Sequence, residues 1–145
     1  MVSIEIAKNS SGGAVQAVKR FLREFNLQAR ADLKIADQSD RELLLVAKDS
    51  RRILGGLIAT TRNKWLRISI MAVSPSHRGQ GLGSLLVHEA EALACGRGCR
   101  YAYVDTMSYQ APAFYRKLGY RQTGQLKDWD SAGHAKLFFV KRLKR

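Results

Sequence analysis

Cysteine, proline and long apolar runs are all scarce in this chain of 145 residues. Two cysteines cannot build the disulfide framework of a small secreted protein, and a chain of this length buries enough surface to fold without one. The longest nearly apolar run, residues 53–59, is far shorter than the roughly 20 residues that cross a bilayer. Glu5 interrupts the apolar residues at the amino terminus before a signal-peptide core could form. We therefore expect a single cytoplasmic domain, residues 1–145, without a membrane span.

Acidic residues are also few. The chain has 12 Asp and Glu against 25 Lys and Arg, which gives a formal net charge of +13. The excess is spread over both halves of the chain, so it does not form a basic tail. The positive electrostatic field of such a chain accelerates association with any anion, whether RNA, a phosphorylated cofactor or an acidic protein. The charge predicts a polyanionic partner without identifying it.

An amphipathic helix and an antiparallel meander are predicted for the first half of the chain. Apolar residues recur at helical spacing at Val18, Phe21, Leu22 and Phe25. We predict a short strand before this helix, at residues 2–7, and a polar, irregular segment after it, at residues 28–40. Three strand-like runs joined by turns of hairpin length follow at residues 43–48, 53–61 and 65–73.

The third of these runs has one apolar and one polar face. Leu66, Ile68 and Ile70 alternate with Arg67 and Ser69, which is the period of a half-buried strand. We expect the three apolar residues to face the core and the other two to lie on the more polar side of the sheet.

A glycine-rich segment leads from this run into a second predicted helix. Helical spacing resumes at Leu82, Leu85, Leu86, Ala90 and Leu93. Further on, Pro112 suits the first turn of a short helix and Gly119 suits its C-terminal cap. The remaining predicted elements are a strand at 101–106, that short helix at 112–118, and strands at 120–125 and 135–143.

The glycine-rich loop, residues 78–83 with the sequence RGQGLG, leaves backbone N–H groups uncovered just before a helix begins. Such a turn suits a pyrophosphate, and Arg78 adds a cation, although the residues alone also fit a flexible or tightly packed turn. A Walker A loop would need a lysine after its last glycine, where Ser84 stands. A Rossmann fingerprint would follow the first strand of a parallel sheet, whereas this loop follows a meander.

Two segments together resemble the GCN5-related N-acetyltransferase (GNAT) family. The acyl-coenzyme A loop of that family has the pattern Q/R-x-x-G-x-G/A, which residues 78–83 satisfy. Residues 111–120, APAFYRKLGY, are similar to the family segment A-x-x-F-Y-x-K-x-G-F/Y. The resemblance covers nearly the whole chain and is strongest over residues 65–125. It implies an α/β fold with a mixed, mostly antiparallel sheet of about seven strands, splayed near Val73 and flanked by helices.

The resemblance also implies that acetyl-coenzyme A is the acetyl donor, with no metal. The backbone around Met71, Ala72 and Val73 would hydrogen-bond the pantetheine arm as an added strand does. Ser108 stands where many relatives carry an asparagine that contacts the cofactor, and its side chain is shorter. The residues of the loop that would hold the pyrophosphate are Arg78, Gly79, Gln80, Gly81, Gly83 and Ser84.

By the same resemblance, Tyr115 would direct its hydroxyl at the thioester sulfur and act as general acid toward the departing thiolate. A thiol has a pKa of about 8.5 and tyrosine one of about 10, so full proton transfer is uphill and hydrogen-bond stabilisation matters more. From the residues alone, Tyr115 is also compatible with an amphipathic side chain beside a core residue, Phe114.

The proton acceptor for the attacking amine is less evident. Family members often place a Glu or Asp on the strand equivalent to Trp65–Val73, where this chain has Arg67 and Ser69 on the polar face. Water-relayed deprotonation, Asp105 at the end of its strand and Glu24 on the first helix remain alternatives.

We therefore predict an N-acetyltransferase that moves acetyl directly from acetyl-coenzyme A to a primary amine in a ternary complex, without a covalent enzyme intermediate. The acceptor, a small molecule or a protein lysine, has no motif, and dimers are common in the family. Two alternatives stay open. One is a basic nucleic-acid-binding module, suggested by the charge and by Tyr101, Tyr103 and Tyr109 near arginines. The other is a regulatory protein that binds coenzyme A with little catalysis.

Overall fold

A computed structural model of the chain describes residues 1–6, 12–35 and 39–144. The chain divides into two compact units, Met1–Gln38 and Ser39–Arg145, and each is described by itself. That residues 1–145 form one domain stays a prediction. None of the helices in the described residues is long and apolar enough to cross a membrane.

The first unit contains the amphipathic helix that the sequence predicts, α1, at Gly13–Asp32. The expectation of irregular structure from residue 28 is wrong as far as Asp32, because Gln28, Ala29 and Arg30 all favour helix and continue α1. Residues 36–38 of that segment lie outside the described residues.

The strand predicted at residues 2–7 is not found in the described part of that segment. Residues 2–6 are exposed and adopt no regular structure, and Ala7 lies outside the described residues. An alternating pattern supports a strand only where a neighbouring strand takes up its backbone hydrogen bonds, and residues 2–6 have none.

The second unit begins with the predicted antiparallel meander. Its strands β1, β2 and β3 span Arg41–Asp49, Arg52–Arg62 and Trp65–Val73. Two-residue turns join them, and Ser50 and Asn63 take positive φ values of 50° and 54° in these turns. Tight hairpins need such left-handed residues to match the twist of the strands.

A β-bulge in β3 changes which face its side chains occupy. Two cross-strand pairs flank the bulge, Ile58 with Ile70 and Ala59 with Ile68. Ser69 is therefore the extra residue. Leu66 and Ile68 are buried as expected, but Ile70 is 58% exposed and Met71 packs against the core instead. The expectation that Ile70 faces the core is wrong because the alternation was counted through the bulge.

The remaining elements lie close to their predicted positions. They are α2 at Leu82–Gly96, β4 at Tyr101–Met107, α3 at Pro112–Lys117, β5 at Arg121–Leu126 and β6 at Lys136–Arg142. The described residues form a six-stranded sheet in the order β1-β2-β3-β4-β6-β5, in which only β3 and β4 are parallel. This confirms the predicted mixed, mostly antiparallel α/β fold, with one strand fewer.

The sheet opens between its two parallel strands. β3 and β4 pair from Trp65 with Tyr101 as far as Ile68 with Val104, and beyond that point they continue without pairing. A bulge bends the strand that carries it, so Ser69 marks the point where β3 leaves β4. The predicted opening is present and begins upstream of Val73.

The core lies between the sheet and α2. Leu86, Val87, Ala90 and Ala94 of this helix are buried against the inward side chains of the strands. Burying one Val or Leu contributes roughly 1.5–3 kcal/mol, so this face holds α2 and the loop before it on the sheet.

A buried polar cluster lies beside this core. Glu91 accepts a hydrogen bond from the Tyr120 hydroxyl at 3.0 Å and two from Lys141 Nζ at 2.9 and 2.8 Å. Glu91 is buried and Lys141 is half-buried, so removal of Lys141 would leave this carboxylate without its charged partner.

Candidate functional site

The loop between β3 and α2 has a backbone that requires glycine. A short 3-10 helix, Pro75–His77, follows β3. Gly79 and Gly81 then take φ values of 75° and 83°, a left-handed region that other residues rarely adopt. Gly81 is the N-cap of α2, so the loop ends where the helix presents its first N–H groups.

The amide groups of this loop are free. The backbone N–H groups of Gly79, Gly81, Gly83 and Ser84 donate no hydrogen bond to any described residue. Together with the partial positive charge at a helix N-terminus, they form a cradle for an anion. A side chain at Gly79 or Gly81 would point into open space, which leaves room for a ligand over the loop. A diphosphate fits this cradle in charge and in donor chemistry.

A cavity of about 730 Å³ lies over the cradle. Eight of the residues that are predicted to hold the cofactor line this cavity: Met71, Ala72, Val73, Arg78, Gly79, Gly81, Gly83 and Ser84. Gln80 is exposed and Ser108 accepts a hydrogen bond from the Ala135 N–H at 3.1 Å, and neither lines the cavity. The cofactor roles of all these residues stay predictions.

Arg78 is anchored to the strand edge that faces the cavity. Its Nε donates to the Val73 carbonyl at 3.1 Å. The Ser74 N–H donates to the Leu54 carbonyl of β2 at 2.7 Å, so Val73 and Met71, one and three residues earlier, direct their backbone groups toward the open side. The open edge of β3 and the cation at the loop entrance are therefore held together.

Gly83 lies in close contact with two side chains of the cavity wall. A Cβ atom there would lie 3.3 Å from the Phe114 ring and 3.5 Å from Met71 Cε. Phe114, expected in the core, is instead half-buried and forms a wall of the cavity. The absence of a side chain at Gly83 lets α3 approach the first turn of α2.

A second cavity, of about 240 Å³, lies in the opening between β3 and β4. Tyr115 lines it and is only 5% exposed, and its hydroxyl has no hydrogen-bond partner among the described residues. Burial first, and then the charge of Asp105, raises the pKa of Tyr115 to about 12. The hydroxyl is thus a protonated, unused donor. The two cavities share Met71, Gln110 and Ala111.

Among the residues that the structure describes, Asp105 is the one carboxylate that lines either of these two cavities. Its Oδ2 accepts a hydrogen bond from the Tyr103 hydroxyl at 3.2 Å, and its Oδ1 lies 3.7 Å from Lys136 Nζ. Burial first, and then Asp105, raises the pKa of Tyr103. Glu24, the other carboxylate considered, is on α1 in the first unit, where it pairs with Arg20.

Sequence reasoning missed Gln110, which lines the larger cavity together with His77, a residue next to the loop. Gln110 Oε1 accepts the Met107 N–H at 2.8 Å, which holds the amide side chain between the two cavities. Its place directly before Ala111, the first residue of the second motif, was the signal that could have identified it. His77 Nδ1 lies 2.9 Å from the Ser74 hydroxyl, a contact that only the turn geometry reveals.

The chain is similar to known acetyltransferases. Residues 40–122 match the family model described as Acetyltransferase (GNAT) domain. An acetyltransferase of Agrobacterium fabrum is 32% identical over 114 residues, covering 78% of this chain and 80% of that protein. The blasticidin-S acetyltransferase of Streptomyces morookaense is 38% identical over 78 residues, covering 53% of this chain and 57% of that protein.

The solved structures that resemble this chain are also acetyltransferases. An acetyltransferase from Bacillus cereus superposes with a TM-score of 0.81 at 34% identity, over 96% of this chain and 98% of that one. A Bacillus anthracis protein in complex with acetyl coenzyme A shares the fold at 17% identity, with a TM-score of 0.63 over 70% of this chain and 62% of that one.

The open mixed sheet, the anion cradle and these likenesses define the protein as an acetyltransferase. The chain belongs to the GNAT acetyltransferase family. The predicted family, fold class and enzyme class are confirmed. The cytoplasmic location and the homodimer stay predictions.

Proposed function

We propose that this protein transfers the acetyl group of acetyl-coenzyme A directly to a primary amine, with both substrates bound together. The observation that carries this proposal is the pair of adjoining cavities, one over a cradle of free amides and one beside an unpaired tyrosine hydroxyl. Their shared wall lets a donor in the larger cavity reach an acceptor in the smaller one.

The donor would bind to backbone more than to side chains. The amides of Gly79, Gly81 and Gly83 would hold the diphosphate, with Arg78 as its cationic partner. The open edge of β3 at Met71 offers backbone groups to an extended pantetheine arm, as an edge strand does to a peptide.

Acetyl-coenzyme A supplies an activated thioester. In the transfer, a C–N bond forms to the amine and the C–S bond breaks, which leaves a thiolate. Tyr115 would donate a hydrogen bond to this sulfur. Its pKa of about 12 exceeds that of a thiol, about 8.5, so complete proton transfer would cost about 5 kcal/mol. Tyr115 therefore stabilises the thiolate, which takes its proton from solvent.

Asp105 would take the proton from the acceptor. An alkylammonium has a pKa of about 10.4 and must become neutral before it attacks. Asp105 lies in the smaller cavity with Tyr115 and is oriented by the Tyr103 hydroxyl. We assign it as the acceptor of this proton and, after attack, of the second proton that the nitrogen loses as the amide forms; both protons pass on to water.

Stacking weakens the case for a nucleic-acid-binding module. The rings of Tyr101 and Tyr103 stack on Trp65 and Phe138, with centroids 4.9 and 6.2 Å apart. Rings that already stack within the sheet have less surface to offer to bases.

The proposal is tested by an acceptor screen. Purified protein is incubated with acetyl-coenzyme A and a panel of primary amines that includes amino acids, polyamines, aminoglycosides and lysine peptides, and free thiol release is followed. We expect saturable, amine-dependent release with at least one class. Tight donor binding without release for any amine would favour the regulatory alternative, and no donor binding would refute the assignment.

A further inference from the structure

A third cavity lies at the C-terminal end of α3 and has a different character. Its volume is about 610 Å³, and it shares no lining residue with the two cavities described above. Five cationic side chains and one carboxylate line it, Lys117, Arg121, Lys141, Arg142, Lys144 and Glu91.

Most of this positive charge is uncompensated. Lys141 Nζ lies 2.8 Å from Glu91, which is the one acidic side chain among the described residues that line the cavity, so this carboxylate is already paired. Lys117, Arg121, Arg142 and Lys144 form no ion pair with any described residue. Like charges around one cavity repel one another, and an anion placed among them would remove that repulsion.

We propose that this cavity binds a compact anion that carries two or more phosphate groups. The two arginines offer planar forks that hold phosphate oxygens in pairs, and the two lysines add mobile charges. The Glu91 pair and the Tyr120 hydroxyl fix Lys141, so one wall is preorganised. The volume lies within the range of about 300–1,000 Å³ found for small-molecule sites.

A small ligand fits this cavity better than a nucleic-acid strand does. None of the described residues that line it is aromatic, and the Tyr120 ring nearby is covered by Lys141 Nζ at 5.4 Å from its centroid. Single-strand binding relies on aromatic rings that stack with bases.

Titration calorimetry with inorganic tripolyphosphate tests the proposal. The protein is first saturated with coenzyme A, so that the cradle before α2 is blocked, and the titration is run at low and at moderate salt. We expect one saturable site that weakens with salt. The double variant Arg121→Gln/Lys144→Gln should weaken binding by about tenfold or more, because each removes a charge-assisted hydrogen bond.

The control is Lys48→Gln/Arg51→Gln, which removes the same charge at the β1–β2 hairpin, on the opposite edge of the sheet. Thermal unfolding should show that both variants fold. No binding to the wild type at low salt overturns the proposal, as does equal weakening by both variants. A single-stranded oligonucleotide that binds this site more tightly than tripolyphosphate would overturn the choice of a small ligand.

Discussion

Two side chains in the opening of the sheet have opposite tasks in the proposed reaction. Tyr115 donates a hydrogen bond to a developing anion, and Asp105 accepts a proton from a cation. Burial, and then the charge of Asp105, keeps the Tyr115 hydroxyl protonated, with a pKa of about 12. The Tyr103 hydroxyl orients the carboxylate.

The variants Tyr115→Phe and Asp105→Asn should separate these tasks by their pH profiles. At pH 7 each should lower kcat about 100-fold while donor affinity changes little. As the pH approaches about 10, more of the amine is already neutral in solution and needs no protein base. The loss of kcat caused by Asp105→Asn should therefore become smaller. The deficit of Tyr115→Phe should persist, because the wild-type hydroxyl remains protonated there.

The matched control is Asp49→Asn, which removes an exposed carboxylate at the end of β1. Its kcat profile should follow the wild type. Parallel pH profiles for Tyr115→Phe and Asp105→Asn would contradict the division of roles. If either variant has an unchanged kcat, the residue that it replaces takes no part in the mechanism.

Single residues were predictable where a motif fixes them. Tyr115 and the loop glycines follow from two short patterns. Gln110 does not, because its role depends on the turn that brings its side chain to the Met107 N–H. The position of Asp105 beside Tyr115 also depends on the course of two strands, which no local pattern encodes.

At the scale of elements, the loop and the first turn of α2 act together. Gly81→Glu should weaken the binding of acetyl-coenzyme A by at least about 100-fold. The substitution places a negative charge in the cradle and strains the backbone at a residue whose φ is 83°. Calorimetry with the donor measures the effect.

Gly98→Glu is the control for this change. Gly98 has φ 90° and open space around its Cβ position, and it follows the C-terminal end of α2. The substitution thus brings the same strain and the same charge at the other end of the helix. Equal losses of donor affinity would mean that strain, rather than the cradle, explains the result.

Element types and bounds were largely predictable, because strong periodicity and turn residues define them. The bulge at Ser69 was not, since one extra residue leaves the composition of the strand unchanged. It has the largest effect on the site, because it turns Ile70 outward and separates β3 from β4. The parallel pairing of these strands follows from α2 crossing between them, a long-range arrangement.

For the whole second unit, buried tyrosines link stability to pH. The pKa of Tyr115 is raised to about 12, and burial with the neighbouring Glu91 raises that of Tyr120. In the unfolded chain both titrate near 10. Because the folded state holds these protons longer, the stabilising contribution is complete below about pH 10 and falls as the pH rises above it, for Tyr115 until about pH 12.

We expect the free energy of unfolding to fall by about 1.4 kcal/mol per pH unit for each buried tyrosine in this range. Tyr120→Phe should lower stability at pH 8, since it removes the hydrogen bond to Glu91, but should flatten the alkaline decline. Denaturant unfolding between pH 8 and 12 measures both effects.

Tyr109→Phe, at an exposed position, should leave the alkaline slope as it is in the wild type. If Tyr120→Phe also keeps the full slope, the decline has another origin, such as neutralised lysines.

The wall shared by the two adjoining cavities ties the choice of one substrate to the choice of the other. Met71, Gln110 and Ala111 border both compartments. A replacement there that makes room for a longer acyl chain also reshapes the space left for the nucleophile. Divergence through these three positions would therefore change thioester and amine preference in a single step, whereas positions that border only one compartment let each preference evolve separately.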